Sequence, residues 1–133
     1  MVVRISSELL HRILAEAVAS PDEICGLLFG AADAIDAAEP CRNVAADVAT
    51  RFEIDPAALI RAHRAARAGG PQIVGCYHSH PAGDAMPSPR DAADAAPDGS
   101  LWLIVGAGEA RLFRAVTDGA RHGRFDAVRL TVG

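Results

Sequence analysis

Three short runs rich in apolar residues constrain the fold of this chain more than any other feature. They span Ile24–Phe29, Ile73–His80 and Leu101–Val105, and each has the length of a buried strand. Turn-forming residues bound them, since Gly30 closes the first run and Pro81 the second. Strands of this kind occur in sheets that are covered on both faces. The runs therefore predict a mixed sheet with helices on both sides.

Capped segments before and between the runs predict three helices. The first spans about Ser7 to Ala19, with apolar residues at helical spacing. The second begins at Asp55-Pro56, an N-cap followed by Pro at the first helical position, and reaches about Ala68. A short third helix begins at Ser88-Pro89-Arg90-Asp91 and ends before Pro97. The remaining predicted elements are a weak strand or two within residues 31–50, a short strand at Arg51–Ile54, and a strand pair at Glu109–Val116 and Phe125–Val132.

Length and composition predict one α/β domain over residues 1–133 in the cytoplasm. A chain of 133 residues fits one compact domain, and half of its residues are apolar. The net charge of −4 gives no basic face for nucleic acid and no polybasic membrane anchor. Three cysteines are not a disulfide framework, and neither a signal peptide nor a membrane span is recognisable.

Two histidines at the end of the predicted central strand form a candidate metal site. Side chains alternate faces along a strand, so His78 and His80 point the same way with Cα atoms about 6.5 Å apart. Two imidazoles at that separation can converge on one zinc ion at about 2.0–2.1 Å. Cys76 shares their face as a rival ligand, although a buried structural thiol is the favoured interpretation. A lone His-x-His is more often structural, so the site needs a further ligand.

Asp91 is the candidate third ligand. It follows His80 by eleven residues, across a Pro- and Gly-rich loop that is long enough to fold back over the strand's end. Three protein ligands plus water are the pattern of a catalytic zinc site. Asp91 also completes a capping box with Ser88 that needs no metal, and these residues alone favour the box. The two interpretations are compatible. Asp84 is a rival ligand, but turn acids of this kind usually face solvent.

Glu23 is the candidate general base. It directly precedes the first apolar run, which places its carboxylate at the end of a buried strand. Zinc lowers the pKa of bound water toward about 7, so a neighbouring carboxylate can complete the proton transfer. A solvated acid in a turn is the alternative, and Asp22 fits that description better than Glu23 does.

Together these residues resemble the signature of the JAMM (MPN+) metalloproteases. Glu23 is followed by His78-Ser79-His80-Pro81, then by Ser88, with seven residues between it and His80, and by Asp91 after two more, so every position is filled. The segment Asp-Glu-Ile-Cys-Gly-Leu-Leu-Phe-Gly around Glu23 also resembles the family's Glu-x-Cys-Gly-x-Leu-x-Gly. The similarity covers roughly residues 3–116. A complete signature with this spacing is far more specific than His-x-His.

The resemblance implies a fold and a set of roles. The fold is a single MPN/JAB domain with a mixed, curved β-sheet flanked by helices, related to the cytidine-deaminase-like fold. His78, His80 and Asp91 would ligate Zn²⁺. Glu23 would act as general acid and base, and Ser88 would hydrogen-bond the tetrahedral oxyanion. Ser79 would carry no chemistry.

The implied activity is zinc-dependent hydrolysis of a peptide or isopeptide bond at the C-terminus of a ubiquitin-like, β-grasp protein of the sulfur-carrier type. A catalytically silent MPN scaffold is the alternative, but it would need none of the five signature residues. A zinc nucleobase deaminase would require His-x-Glu and Pro-Cys-x-x-Cys, which are absent. A non-haem iron enzyme with two histidine ligands and one carboxylate ligand is a further alternative. Many such enzymes are all-β barrels, and the three predicted helices argue against that architecture.

No nucleic-acid or membrane partner is expected, and the sequence does not decide whether the chain forms a homodimer.

Overall fold

The chain forms seven strands and three helices in this computed structural model, which describes residues 1–133. Ser6 caps the first helix by accepting a hydrogen bond from the Leu9 N–H, as Asp55 caps the second through Ala57. The elements are β1 (Val2–Ile5), α1 (Ser7–Val18), β2 (Cys25–Ala31), β3 (Ala34–Cys41), α2 (Pro56–Arg67), β4 (Ile73–His80), α3 (Pro89–Asp94), β5 (Leu101–Gly106), β6 (Glu109–Gly119) and β7 (Gly123–Val132).

All seven strands lie in one mixed sheet that closes into a barrel. The order is β1-β3-β2-β4-β5-β6-β7, and β1 pairs with both β3 and β7. Pairing is parallel for β1–β3, β1–β7 and β4–β5, and antiparallel elsewhere. Because β2 runs antiparallel to β4, Cys25 at its start lies opposite His78. This register brings Glu23, two residues earlier, to the end of β4 that carries both histidines.

Apolar side chains cover both faces of the sheet, as the sequence predicts. One face packs against Leu9 and Ile13 of α1, and the other packs against Ala92 and Ala95 around α3. Alternation along β4 places Tyr77 on the α1 side and its neighbour His78 on the α3 side. Full burial of each large apolar side chain contributes about 1.5–3 kcal/mol. The metal-site candidates therefore project from a strand that is fixed on both faces.

One expectation about strands was wrong, and one strand was not predicted. Arg51–Ile54 is not a strand, because only Ile54 pairs, in an isolated bridge with Asn43. The Asn43 side chain donates a hydrogen bond to the Arg51 carbonyl and accepts one from the Glu53 N–H. These side-chain bonds take the place of the backbone hydrogen bonds that a strand would make with a neighbouring strand. No sequence pattern predicts β1, a four-residue strand whose parallel partner β7 lies far away in the sequence. None of the three helices has the length and apolar character needed to span a bilayer.

Gly75 tests the close contact between β4 and β5. A Cβ atom at this position would overlap the backbone oxygen of Leu101, which belongs to a buried strand and cannot rotate away. We expect Gly75→Ala to lower the free energy of unfolding by about 3 kcal/mol or more, at the upper end for overpacking. Urea denaturation measures this loss. Gly83→Ala is the control, because its nearest neighbour would be the His80 Cβ at 3.6 Å. Equal stability of the two variants would contradict the prediction.

Candidate metal centre

The two imidazoles and one carboxylate converge on a single point beyond the end of β4. The Nε2 atoms of His78 and His80 are 3.1 Å apart, and Oδ2 of Asp91 lies 3.2 Å from each. His78 is fully buried, while His80 is partly exposed at the last position of the strand. The structure thus brings together the three residues that the sequence nominates as ligands.

The spacing of these three atoms fits a zinc ion. They form a nearly equilateral triangle with edges of 3.1–3.2 Å. Ligands bonded tetrahedrally at about 2.0–2.1 Å are themselves about 3.3–3.4 Å apart. Nitrogen and carboxylate oxygen are also the donor types that zinc accepts. The group therefore satisfies both the geometric and the chemical requirement for this ion.

Asp91 belongs at the same time to the capping box that begins α3. Its Oδ2 accepts a hydrogen bond of 2.9 Å from the Ser88 N–H, and the Ser88 Oγ accepts one of 3.0 Å from the Asp91 N–H. The box and the convergence with the imidazoles coexist on one carboxylate. Because Ser88 uses its oxygen in the box, its hydroxyl proton is free to point toward a ligand.

The two imidazoles are held in different ways. The Nδ1–H of His80 donates to the Asp84 carbonyl at 2.9 Å, which leaves a lone pair on the Nε2 that faces Asp91. His78 has no such partner, because its Nδ1 is buried without a hydrogen bond. Its ring instead stacks on Phe52, with centroids 4.2 Å apart and planes 18° apart, and Trp102 meets it edge-on.

Glu23 completes the cluster. Its carboxylate and the two imidazoles each offer a ligating atom, and these atoms all lie within 4.8 Å of one another. The residue is 6% exposed, and its Oε1 atom is buried without a hydrogen-bond partner. The chain therefore presents a His, His, Glu cluster that can bind a metal, with the Asp91 oxygen against both imidazoles.

Burial and charge shift all four titrating groups. Burial raises the pKa of Glu23 to about 7, although the His80 charge opposes it. Burial also lowers the pKa of His78 against the pull of Asp91. Burial tends to lower the pKa of His80, but hydrogen bonds to Asp91 and to the Asp84 carbonyl outweigh it and raise the pKa. Burial tends to raise the pKa of Asp91, but the two imidazoles and the Ser88 N–H hold it far below the usual range. Asp91 is thus the fixed negative charge of the centre.

Comparison with protein families places this site in a known group. The family model described as prokaryotic homologs of the JAB domain matches residues 6–117, which include every member of the cluster. The chain belongs to this JAB-domain family. The resemblance to JAMM metalloproteases is thereby confirmed.

This JAB-domain chain is similar to two named relatives. It is 41% identical over 86 residues to a desampylase from Haloferax volcanii, an alignment that covers 63% of this chain and 62% of the relative. It is 38% identical over 76 residues to a probable TtuB-protein conjugate cleaving protease from Thermus thermophilus, with coverage of 57% and 51%. The matched segments thus span only about half to three fifths of these relatives.

Solved structures show the same fold. A protein from Desulfitobacterium hafniense superposes with a TM-score of 0.81 at 26% identity, covering 98% of this chain and 92% of that one. A JAB1/MPN domain protein from Archaeoglobus fulgidus superposes with a TM-score of 0.59 at 23% identity, covering 98% of each chain. The second likeness concerns the fold alone. The expected MPN/JAB fold is confirmed.

Residues that the sequence did not nominate also shape this JAB-domain site. Ser79, between the two histidines, accepts the Ile24 N–H on its Oγ at 2.9 Å and donates its own N–H to the Ile24 carbonyl. It therefore pins the residue next to Glu23 to β4. Its place in His-Ser-His-Pro was the available signal. The rival Asp84 is exposed, its Oδ1 accepts the Met86 N–H, and only its main-chain oxygen contacts the site.

The raised pKa of Glu23 predicts how pH affects the metal-free protein. The pKa of Glu23 in the folded chain, about 7, lies above its ordinary value of 4.5. The protonated carboxyl therefore stabilises the fold fully below pH 4.5, and this contribution is lost as the pH rises from 4.5 through 7. We expect Glu23→Gln to be more stable than wild type at pH 8, by up to about 3 kcal/mol, and nearly equal at pH 4.5. Urea denaturation in a chelator measures both. Gln at the exposed Glu53 is the control, and a pH-independent difference would contradict the assignment.

Proposed function

We propose that residues 1–133 form a zinc metallopeptidase domain that hydrolyses a peptide or isopeptide bond at the C-terminus of a ubiquitin-like protein. The observation that carries the proposal is the triangle of Nε2, Nε2 and Oδ2 atoms with edges of 3.1–3.2 Å. In this proposal His78, His80 and Asp91 hold zinc. When bound, zinc supplies Lewis acidity, which lowers the pKa of water and polarises a carbonyl.

Glu23 is suited to move a proton in this reaction. Its carboxylate lies near the imidazoles of His78 and His80, but its Oε1 atom makes no hydrogen bond. In the metal-free chain burial raises the pKa of Glu23 to about 7, and a carboxylate with a pKa near the working pH can both take a proton from water and return one to the leaving amine. Ser88 lies at the start of α3, and its hydroxyl, which accepts the Asp91 N–H, would donate its own proton to the developing oxyanion.

A pocket next to the centre is the candidate binding site for the substrate. It has a volume of about 840 Å³ and is lined by residues from the start of α2 and from the segment after α3. None of the five signature residues lines it, but Phe52 and Trp102 do, and these two rings contact His78. A substrate in the pocket would therefore reach the ligands past these rings. The names of the two relatives support a protein tail of the ubiquitin-like type as the occupant.

The cleavage test uses a β-grasp carrier protein that is extended at its C-terminus by a short peptide, and a second substrate in which the carrier is joined to a lysine side chain. We expect the zinc-loaded chain to release carrier from at least one of them, as measured by mass spectrometry. Glu23→Gln should lower the rate by about 10²- to 10⁴-fold, the usual contribution of a general acid or base.

The control for that test is the metal content of the variant. Glu23→Gln should keep one zinc per chain, so that its lost activity reflects proton transfer. If the wild-type chain holds one zinc but releases carrier from neither substrate, the peptidase assignment is refuted and a catalytically silent MPN scaffold is favoured.

The proposed ligand role of Asp91 has its own test. Asp91→Asn removes the fixed negative charge but keeps an oxygen that can accept the Ser88 N–H, so the capping box survives. We expect zinc affinity to fall by at least about 100-fold, because a neutral amide is a poor zinc ligand. Asp94→Asn, an acid of the same helix paired only with Arg51, is the matched control. Equal affinities of the two variants, measured by competition with a chelator, would exclude Asp91 as a ligand.

A further inference from the structure

The segment between β3 and α2, residues 42–55, contacts the metal centre at two points. One is the main chain of Glu23, and the other is the ring of His78. We propose that this loop is the positioning element of the centre, with Asn43 setting the place of Glu23 and Phe52 setting the orientation of His78. The inference rests on the proposed zinc site and assigns it two further residues.

Asn43 ties the loop to Glu23. Its side-chain nitrogen donates to the Glu23 carbonyl at 2.9 Å and to the Arg51 carbonyl at 3.0 Å. Its Oδ1 accepts from the N–H groups of Ala45 and Glu53, each at 3.0 Å. These four hydrogen bonds use the full capacity of an amide side chain. One side chain thus joins both arms of the loop to the residue that carries the proposed general base.

The loop holds Glu23 on both sides of its Cα atom. The Glu23 N–H donates to the Val48 carbonyl at 2.8 Å, while the Glu23 carbonyl accepts from Asn43. The carboxylate itself has a buried Oε1 without a partner. Because this oxygen has no hydrogen bond to hold it, the main-chain contacts with the loop set where the carboxylate lies.

Phe52 takes the place of a hydrogen bond at His78. A histidine that binds a metal usually donates its other ring N–H to a carboxylate, a carbonyl or water, which fixes the ring. His80 follows this rule through the Asp84 carbonyl, but Nδ1 of His78 is buried without a partner. The stacked Phe52 ring, whose centroid is 4.2 Å from that of the imidazole, and the nearly perpendicular Trp102 ring, with centroids 5.6 Å apart, contact the imidazole instead. Aromatic contact therefore sets the ring plane of this ligand.

A purely structural role for Phe52 is the competing explanation. Phe52 packs against the apolar cluster that contains Trp102, Phe113 and Phe125, so its truncation costs stability in either case. Zinc affinity separates the two explanations. If Phe52 only stabilises the fold, losing its ring should affect zinc binding no more than losing another buried ring of the same cluster.

The first experiment measures zinc affinity of the full chain by competition with a chromogenic chelator. We expect Phe52→Leu to weaken zinc binding by about 10- to 100-fold, the usual cost of losing an orienting contact to a metal ligand. Phe52→Tyr keeps the stacked ring and should stay within about threefold of wild type. Phe113→Leu removes a buried ring of the same cluster that pairs with Phe125, and it should also stay within about threefold. Wild-type affinity in Phe52→Leu, or an equal loss in Phe113→Leu, would overturn the role of Phe52.

The second experiment uses Asn43→Asp. The carboxylate still accepts from Ala45 and Glu53 but cannot donate to the Glu23 carbonyl. We expect zinc affinity within about threefold of wild type, faster hydrogen exchange at the Glu23 amide, and kcat lower by about tenfold or more at similar KM. Unchanged exchange at that amide would overturn the role of Asn43. Affinity and exchange need no substrate, so they decide this inference even where the cleavage test fails.

Discussion

The Oδ2 atom of Asp91 connects the fold to the candidate metal centre. It accepts the N–H that begins α3 and also faces two imidazole nitrogens at 3.2 Å. A carboxylate oxygen and two lone pairs at this spacing repel one another unless a proton or a cation lies among them. In the metal-free chain the same repulsion favours a proton on His80, whose pKa is raised. The helix start and the site therefore depend on one atom, and the site requires positive charge.

Strand register places the rest of the centre around that atom. Parallel pairing with β5 and antiparallel pairing with β2 fix β4 from both sides, so His78 and His80 project from a strand with no freedom to slip. The same register sets Glu23 beside them, since β2 begins opposite His78. Shifting β4 by one residue would turn both imidazoles to the α1 face. The barrel thus acts as a rigid frame for groups from distant parts of the sequence.

The sequence predicts the parts of this arrangement that follow from local rules. Alternation along a strand pairs His78 with His80, and the Ser88 box predicts where α3 begins and where Asp91 lies. The pairing of β1 with β7 follows from no local pattern, because its partners are more than a hundred residues apart. Asn43 and Phe52 were missed for a related reason. Their contacts with Glu23 and His78 join a poorly patterned loop to distant strands, and neither residue type predicts such a contact by itself.

The unpaired polar atoms of the chain show what this centre costs the fold. Buried side-chain atoms without a hydrogen bond are rare in native proteins, and three occur here: Oε1 of Glu23, Nδ1 of His78 and Nε of Arg124. Two of the three belong to the candidate metal centre. Leaving such an atom buried and unpaired destabilises the metal-free chain by about 1–3 kcal/mol. Oε1 belongs to the carboxylate whose pKa burial raises to about 7, and Nδ1 belongs to a proposed metal ligand. Buried groups with shifted pKa values cluster at functional sites, and the candidate metal centre has this pattern.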